Sequence, residues 1–335
     1  MIEFNAALKN LNTFNIPAFA ETFLRIADER ELFESKIVEI LASRRVVILG
    51  GGSNILLTKT TIPFVMSFQG KGMAITANTP SNTLIEAAAG EVWDDVVQFA
   101  VLNNLGGIEN LSGIPGLAGA APIQNIGAYG QEIADTLDYV RFYDFATGLM
   151  KTFNRAECES GYRDSIFKSK LKGKILITKI GLRLANNPLP NLSYKPLSDK
   201  FNNTSHSPSI SEVRSAVIKI RESKLPNLSL LGNSGSFFKN PIISLEQFNE
   251  LKKIYPAIPS FQFMDKVKIP AGWLIETAGW KGKRIGNVGC YEKQALVLVN
   301  YGGATGEEIV SFAETIRQSI VKKFDIVLDF EVNTI

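Results

Sequence analysis

With 335 residues, 36 basic and 33 acidic side chains and a net charge of +3, the chain is too long for one ordinary hydrophobic core and too close to neutral to argue for a nucleic-acid partner. No apolar run approaches the roughly 18 residues that span a bilayer, so neither nucleic acid nor membrane is expected as a partner. The two cysteines, Cys158 and Cys290, lie outside any CxxC, and the single histidine, His206, lies in a polar stretch; disulfide scaffolding, zinc chemistry and Ser-His-Asp or Cys-His catalysis are therefore not expected, and no metal site is read.

At the start, Met1 to Leu11 carries Glu3 and Asn5 where a secretory signal needs an apolar core, and a cytoplasmic protein is expected. Thr22 to Ala27 is predicted as a strand, Glu29 to Ala42 as a helix, and Arg45 to Leu49 as a strand running into three glycines. Further on come a strand over Thr83 to Ala89 and a helix over Val92 to Asn103. That helix is expected to bury Trp93, Val96, Val97, Ala100 and Val101 and to end at Gly106 and Gly107. The passage Gly113 to Gly130 is rich in glycine yet apolar, so its backbone is expected to pack against something. Tyr139 to Asp144 and Leu149 to Phe153 read as a hairpin, and Lys174 to Leu184 as another strand. Asn186 to Pro208 is the clearest linker, read as a mobile loop that carries Tyr194. A helix over Ser211 to Ser223 precedes a second glycine-rich block, Leu231 to Asn240. Thr305 and Glu308 form a capping box opening a helix to about Lys323, and Ile326 to Val332 is predicted as the last strand.

Four motifs carry chemistry. Gly50-Gly51-Gly52-Ser53-Asn54 follows a strand and offers main-chain N–H groups to a pyrophosphate. It is neither a Walker loop nor a dinucleotide fingerprint, because no Gly-Lys-Ser/Thr follows and Ile55 stands where the third glycine belongs; a tight turn between strands explains it equally well. Glycines at 113, 116 and 119 within Ser112 to Pro122, continued by Gln124, Asn125, Gly127, Ala128 and Tyr129, let a flat or phosphorylated ligand approach the main chain. In Gly161-Tyr162-Arg163-Asp164-Ser165-Ile166-Phe167 an arginine sits among aromatic and apolar residues, suited to a carboxylate or phosphate, or to a structural ion pair with Asp164 or across domains. Gly235-Ser236 within Gly232 to Pro241 presents a hydroxyl backed by two phenylalanines, though a plain turn before a strand also accounts for it, and Lys224 stands at a helix end where a phosphate could meet it.

Taken in order, the GGGSN loop, IPGLAGAAPIQNIGAYGQEI, GYRDSIFK, RESKLP with GNSGSFFKNP, AGWLIETAGWKG, QALVLVN and the terminal EV resemble the UDP-N-acetylenolpyruvoylglucosamine reductase family over nearly the whole chain. The resemblance implies an α+β fold with a vanillyl-alcohol-oxidase (PCMH-type) FAD-binding part and a separate α+β substrate domain. The FAD-binding part would comprise subdomains 1–70, completed by strand 327–335, and 71–223, with the substrate domain over 224–326. It implies reduction of an enolpyruvyl UDP-sugar by NADPH through FAD, in peptidoglycan precursor synthesis, in a protein expected to be a monomer. Non-covalent FAD would lie on Gly50, Gly51, Gly52, Ser53, Asn54, Ile55, Ser112, Ile114, Pro115, Gly116, Gly119, Ala120, Pro122, Gln124, Asn125, Gly127, Ala128 and Tyr129. By matched position, Arg163 and Glu331 would hold and polarise the substrate carboxylate and Ser236 would donate a proton. Tyr162, Tyr194, Lys224, Gly235, Asn240, Lys281 and Gln294 would line the substrate site. Tyr194 in its long loop suggests the subtype with a tyrosine-bearing flap.

Overall fold

A computed structural model describes residues 1–43, 46–202 and 206–335. The chain forms two compact units that alternate along the sequence. Unit 1 comprises residues 1–6, 20–51 and 62–223; unit 2 comprises 7–19, 52–61 and 224–335.

Unit 1 contains two sheets. In the first, the strands run in the order Ile2–Ala7, Phe19–Ile26, Thr61–Phe68 and Val47–Ile48. In the second, the order is Leu149–Asn154, Leu137–Asp144, Ile175–Ala185, Asn82–Ala88 and Met73–Asn78. The predicted hairpin is present, with Tyr143 opposite Met150 and Asp144 opposite Leu149. Ile175–Ala185, paired on both edges, is buried along most of its length, as an apolar strand at the centre of a sheet must be. The predicted helix over 29–42 is interrupted. Glu29–Phe33 is a 3-10 turn opened by an Asp28/Glu31 capping box, Glu34 is extended, and helix α1 then runs over Ser35–Ser43. The strand predicted from Arg45 shortens to Val47–Ile48, Arg45 itself lying outside the described residues.

Helix α2, Trp93–Leu102, buries Trp93, Val96, Val97 and Ala100, while Val101 is only half-buried. Asn104, at φ 55, reverses the chain before Gly106 is reached, because asparagine tolerates the left-handed region that a helix end requires. The predicted linker contains a short helix α3, Lys195–Phe201, with Pro196 in its first turn, where a missing N–H costs nothing. Its Leu197 packs with Val213, Ala216 and Val217 of helix α4, Ile210–Lys224.

In unit 2 an antiparallel sheet orders Gly232–Ser236, Val297–Asn300, Val288–Cys290 and Arg284–Ile285. Helices α5, Leu245–Ile254, α6, Ala271–Thr277, and α7, Gly306–Phe324, accompany it. The expected capping box at Thr305 is formed, with Glu308 N donating to Thr305 Oγ1 at 3.2 Å and Thr305 N to Glu308 Oε2 at 2.7 Å. The predicted strand over Ile326 to Val332 is not regular. Only an isolated bridge links Phe330 to Phe238, and the regular strand is Asn333–Thr334, parallel to Ile55–Leu56. Among the described residues no helix is long and apolar enough to cross a membrane, and no group of His, Cys, Asp and Glu could hold a metal ion.

Candidate functional site

The predicted site residues fall into two groups, one in each unit. In unit 1 the two glycine-rich passages meet. A Cβ on Gly51 would lie 2.9 Å from Gly116 Cα, and one on Gly50 would lie 3.5 Å from Ala120 Cβ. The passage is held from the α2 side: Gly116 O accepts from Trp93 N at 3.0 Å, and Ala118 N and Gly119 N donate to Glu91 O and Ala89 O at 2.8 and 2.9 Å. Ser112 Oγ donates to Glu109 O at 2.5 Å. Ala118, Ala121, Pro122 and Ile126 point into the core, whereas Gly113, Pro115 and Ala120 are exposed and Ile114, Gly116, Gly119, Gln124, Gly127 and Ala128 are half-buried. The exposed positions are thus small residues, while the positions that a Cβ would take at Gly51, Gly119 and Gly127 face other atoms of the protein, so the glycines let main chain pack closely here.

Asn125 ties this passage to the arginine turn. It is buried, at φ 44. Its Nδ2 donates to Glu132 Oε2 at 2.7 Å and to Gly161 O at 3.0 Å, and its Oδ1 accepts from Ala134 N at 3.1 Å. Backbone bonds between Gly161 and Asp164 close the turn. Between them Arg163 sits at φ 55, a conformation costing a non-glycine residue on the order of 1 kcal/mol and persisting where the surroundings over-determine it. Its Nη2 donates to Gly127 O at 2.7 Å, and its guanidinium lies 5.5 Å from the Tyr162 ring centre.

Tyr129, also left-handed at φ 52, stands where the passage meets α4 and the Tyr194 segment. Its ring packs edge-on to Tyr194 at 5.3 Å. Asn110 Nδ2 donates to both Tyr129 O and Asn191 O at 2.8 Å, and Asn191 Nδ2 donates to Gly130 O at 2.8 Å. The segment read as a mobile loop is therefore laced to the passage. Burial raises the Tyr129 hydroxyl above its usual value despite a hydrogen bond from Arg221.

In unit 2, Gly52 and Asn54 continue the GGGSN loop. Gly52, at φ 64, would carry a Cβ 2.0 Å from Leu11 O, so only glycine fits. Asn54 Nδ2 donates to Glu331 O at 3.3 Å, and Asn333 N donates to Asn54 O at 3.1 Å. Ser236 ends its strand after a bulge in which Gly235 takes φ 71 with nothing near the position its Cβ would occupy. Phe237 O then accepts from Glu331 N at 2.8 Å, and Lys239 N donates to Asp329 O at 2.8 Å. Ser236 and Glu331 are thereby set on adjacent backbones, over a cluster of the Phe237, Phe238 and Phe330 rings. Asn240 Oδ1 accepts from Ala271 N at 2.9 Å and so caps α6. Lys281 pairs with Glu276 at 2.8 Å, Gln294 Oε1 lies 3.2 Å from where a Gly272 Cβ would be, and Lys224 ends α4, exposed. Burial pushes the Cys158 and Cys290 thiols up to about 12, which leaves them poor nucleophiles.

Three residues of unit 1 that sequence reading passed over complete its group. Asp94, in the first turn of α2, accepts from Gly113 N at 2.6 Å and from Arg214 Nη1 and Nη2 at 2.7 and 2.8 Å. Arg221 Nε donates to Gly113 O at 3.1 Å. Burial pushes the Asp94 carboxyl up, but Arg214 and the Gly113 N–H more than offset it and hold the group below its usual range. The one signal in the sequence is the spacing of Arg214 and Arg221, seven apart and so on one face of α4.

Comparison with known proteins follows this division. Residues 28–154 match the family described as FAD binding domain, and residues 226–335 match the C-terminal domain of UDP-N-acetylenolpyruvoylglucosamine reductase. Among curated relatives, the UDP-N-acetylenolpyruvoylglucosamine reductase of Flavobacterium johnsoniae is 44% identical over 100% of this chain and 99% of its own. That of Pseudomonas aeruginosa is 39% identical over 98% of this chain and 97% of its own. The crystal structure of UDP-N-acetylenolpyruvylglucosamine reductase (MurB) from Thermus caldophilus superimposes with a TM-score of 0.67 at 21% identity, covering 100% of this chain and 98% of that one. The fold is the α+β FAD-binding type expected from the sequence, with a further α+β part that matches the C-terminal domain of the reductase family.

Proposed function

The chain belongs to the UDP-N-acetylenolpyruvoylglucosamine reductase family, and we infer that it reduces UDP-N-acetylglucosamine enolpyruvate to UDP-N-acetylmuramate, with NADPH as reductant and FAD as carrier, in peptidoglycan precursor synthesis. The observation that carries this reading is the stitching of the Arg163 turn into the glycine passage through Asn125 and Gly127. That join sets a carboxylate-binding cation on the loop that suits the cofactor. In this reading Gly50 to Ile55 and Ser112 to Tyr129 hold FAD non-covalently, and bound FAD supplies the hydride chemistry.

The remaining work falls to side chains. Hydride addition to the terminal enolpyruvyl carbon drives charge into the substrate carboxylate, and Arg163, held in place by Gly127, supplies preorganised positive charge there. Ser236 gives its hydroxyl proton to the adjacent carbon. Glu331 polarises the carboxylate in its protonated form or through a donor, because an ionised carboxylate beside developing negative charge raises the barrier. Tyr162, Gly235, Asn240, Lys281 and Gln294 line the substrate; Tyr194 and Lys224 hold its diphosphate. The same reading divides the chain into 1–70 with 327–335, 71–223 and 224–326, and makes the protein a cytoplasmic monomer.

Anaerobic absorbance tests the inference: NADPH bleaches the flavin band, and the enolpyruvyl UDP-sugar restores it. Bleaching without recovery would remove the substrate from the reading, and a protein that binds no FAD would remove all of it.

A further inference from the structure

Gly113 opens the glycine passage, and its lack of a side chain leaves both of its torsions free. At φ +67 it occupies a region that glycine enters as readily as its mirror image, so the backbone there has no intrinsic preference for the observed turn. Two side chains remove that freedom. The N–H of Gly113 belongs to the peptide before it and is held by Asp94 Oδ1 at 2.6 Å; the C=O belongs to the peptide after it and is held by Arg221 Nε at 3.1 Å. The two bonds orient the two peptide planes, and only together do they fix the φ and ψ that relate them. Asp94 is in turn fixed by the two-pronged pair with Arg214, whose side chain is 13% exposed, and a bidentate pair of this kind leaves the carboxylate little rotational choice. Arg214 and Arg221 project from the same face of α4, so one helix sets both ends of the clamp.

We propose that Asp94 is a positioning residue for the cofactor. Gripped by Arg214 and working with Arg221, it fixes the two peptides flanking Gly113 and so sets how tightly the passage beginning at Ser112 binds FAD. The inference rests on the reading that this passage holds FAD. The physical basis is preorganisation: a glycine turn ordered before binding spares the complex the entropy of ordering it afterwards.

The test is FAD titration of the apo-protein followed by flavin fluorescence, beside its melting temperature. Asp94→Asn keeps an acceptor for the Gly113 N–H but loses the charge pair; Asp94→Leu, of similar size, loses both. The proposal expects Asp94→Asn to melt lower than the parent yet bind FAD within a few-fold of it. It expects Asp94→Leu to weaken FAD by roughly ten-fold or more, the scale of one charge-assisted hydrogen bond. Equal FAD affinity in all three proteins, or equal loss in both variants in step with their melting temperatures, overturns it by making Asp94 a mere helix tie. Should Asp94→Leu not fold, Arg221→Gln, which still donates to Gly113 O, against Arg221→Met, which cannot, decides in the same way. Failure of the parent apo-protein to bind FAD would instead defeat the underlying reading of the passage.

Discussion

The two groups of site residues are built on opposite plans. In unit 1 the surface proposed to hold the cofactor is main chain, and side chains hold it: Asn125 spans Glu132, Ala134 and Gly161, Arg163 is anchored on Gly127 O, and Asp94 and Arg221 grip Gly113. In unit 2 the groups proposed to react are side chains, and main chain holds them. Ser236 and Glu331 ride on segments joined by the bond between Glu331 N and Phe237 O, and Asn54 reaches the Glu331 carbonyl. The difference teaches that the two groups should fail differently. A peptide surface is spoiled by adding atoms, because any Cβ in the way displaces the ligand or the partner strand. A side-chain site is spoiled by removing the one group that reacts, with little effect on the fold.

The largest expected effect is on the unit 2 side. Ser236→Ala deletes a single hydroxyl from a half-buried residue whose backbone partners are unchanged. Rapid mixing should show flavin reduction by NADPH preserved and reoxidation by the enolpyruvyl substrate slowed on the order of 10²–10³, the cost of one preorganised donor. Equal slowing of both half-reactions would mean that Ser236 shapes the fold and donates nothing.

The matching insult to unit 1 is an addition. Gly51→Ala places a Cβ 2.9 Å from Gly116 Cα, against backbone that cannot rotate away. Overpacking of this kind costs about 1–3 kcal/mol, and here it falls on the meeting of the two glycine passages. Both stability in urea and FAD affinity should drop together. An alanine variant that binds FAD normally would show that the two passages need not touch, and the contrast between the groups would lose its main-chain half.

How far the two plans could be read in advance follows from the same contrast. Local patterns were legible: the hairpin 139–154, the alternation of Asn82–Ala88, the buried stripe of α2 and the Thr305 box all depend on neighbours a few residues away. Glycine spacing gave the main-chain surface, because closeness of approach is written into residues without side chains. Thr61–Phe68 escaped notice because Pro63 interrupts it and the five successive residues 64–68 at its end are buried, so its period of two is lost over most of its length. Met73–Asn78 stands at the end of its sheet among the described residues and is exposed on nearly every residue, which erases the apolar pattern of a strand. Asn186 to Pro208 reads as a linker, yet it holds α3, with Pro196 in the first turn. The clamp on Gly113 was invisible because Asp94 and Arg214 stand 120 positions apart, and only the folded chain brings them together. Ile326 to Val332 misled in the other direction, since its alternation reflects real burial but, among the described residues, its only bridge is Phe330 to Phe238.

A smaller effect separates fold from chemistry within unit 2. Thr305→Ala removes the hydroxyl that accepts from Glu308 N and with it half of the capping box of α7. N-cap losses of this type cost about 1 kcal/mol. Chemical denaturation should show that loss, while the ratio of the two half-reaction rates stays as in the parent. A changed ratio would mean that the reacting side chains are less insulated from helix stability than their main-chain supports suggest.

The smallest effect is a pH dependence that should belong to the unit 1 plan. Burial alone would raise the Asp94 carboxyl, but Arg214 and the Gly113 N–H leave it below its usual value in the folded protein. A depressed carboxylate stabilises the fold fully above its unfolded value of about 3.9, and that contribution is lost as pH falls through the lower folded value. The gap in melting temperature between the parent and Asp94→Asn, whose amide does not titrate, should therefore be constant at neutral pH and close as the solution is acidified below about pH 4. A gap that stays open in acid would show that Asp94 acts through shape alone, and a gap that closes already near neutrality would place the titrating group elsewhere. Only the acid-limited closure is consistent with a charged clamp that holds a glycine peptide.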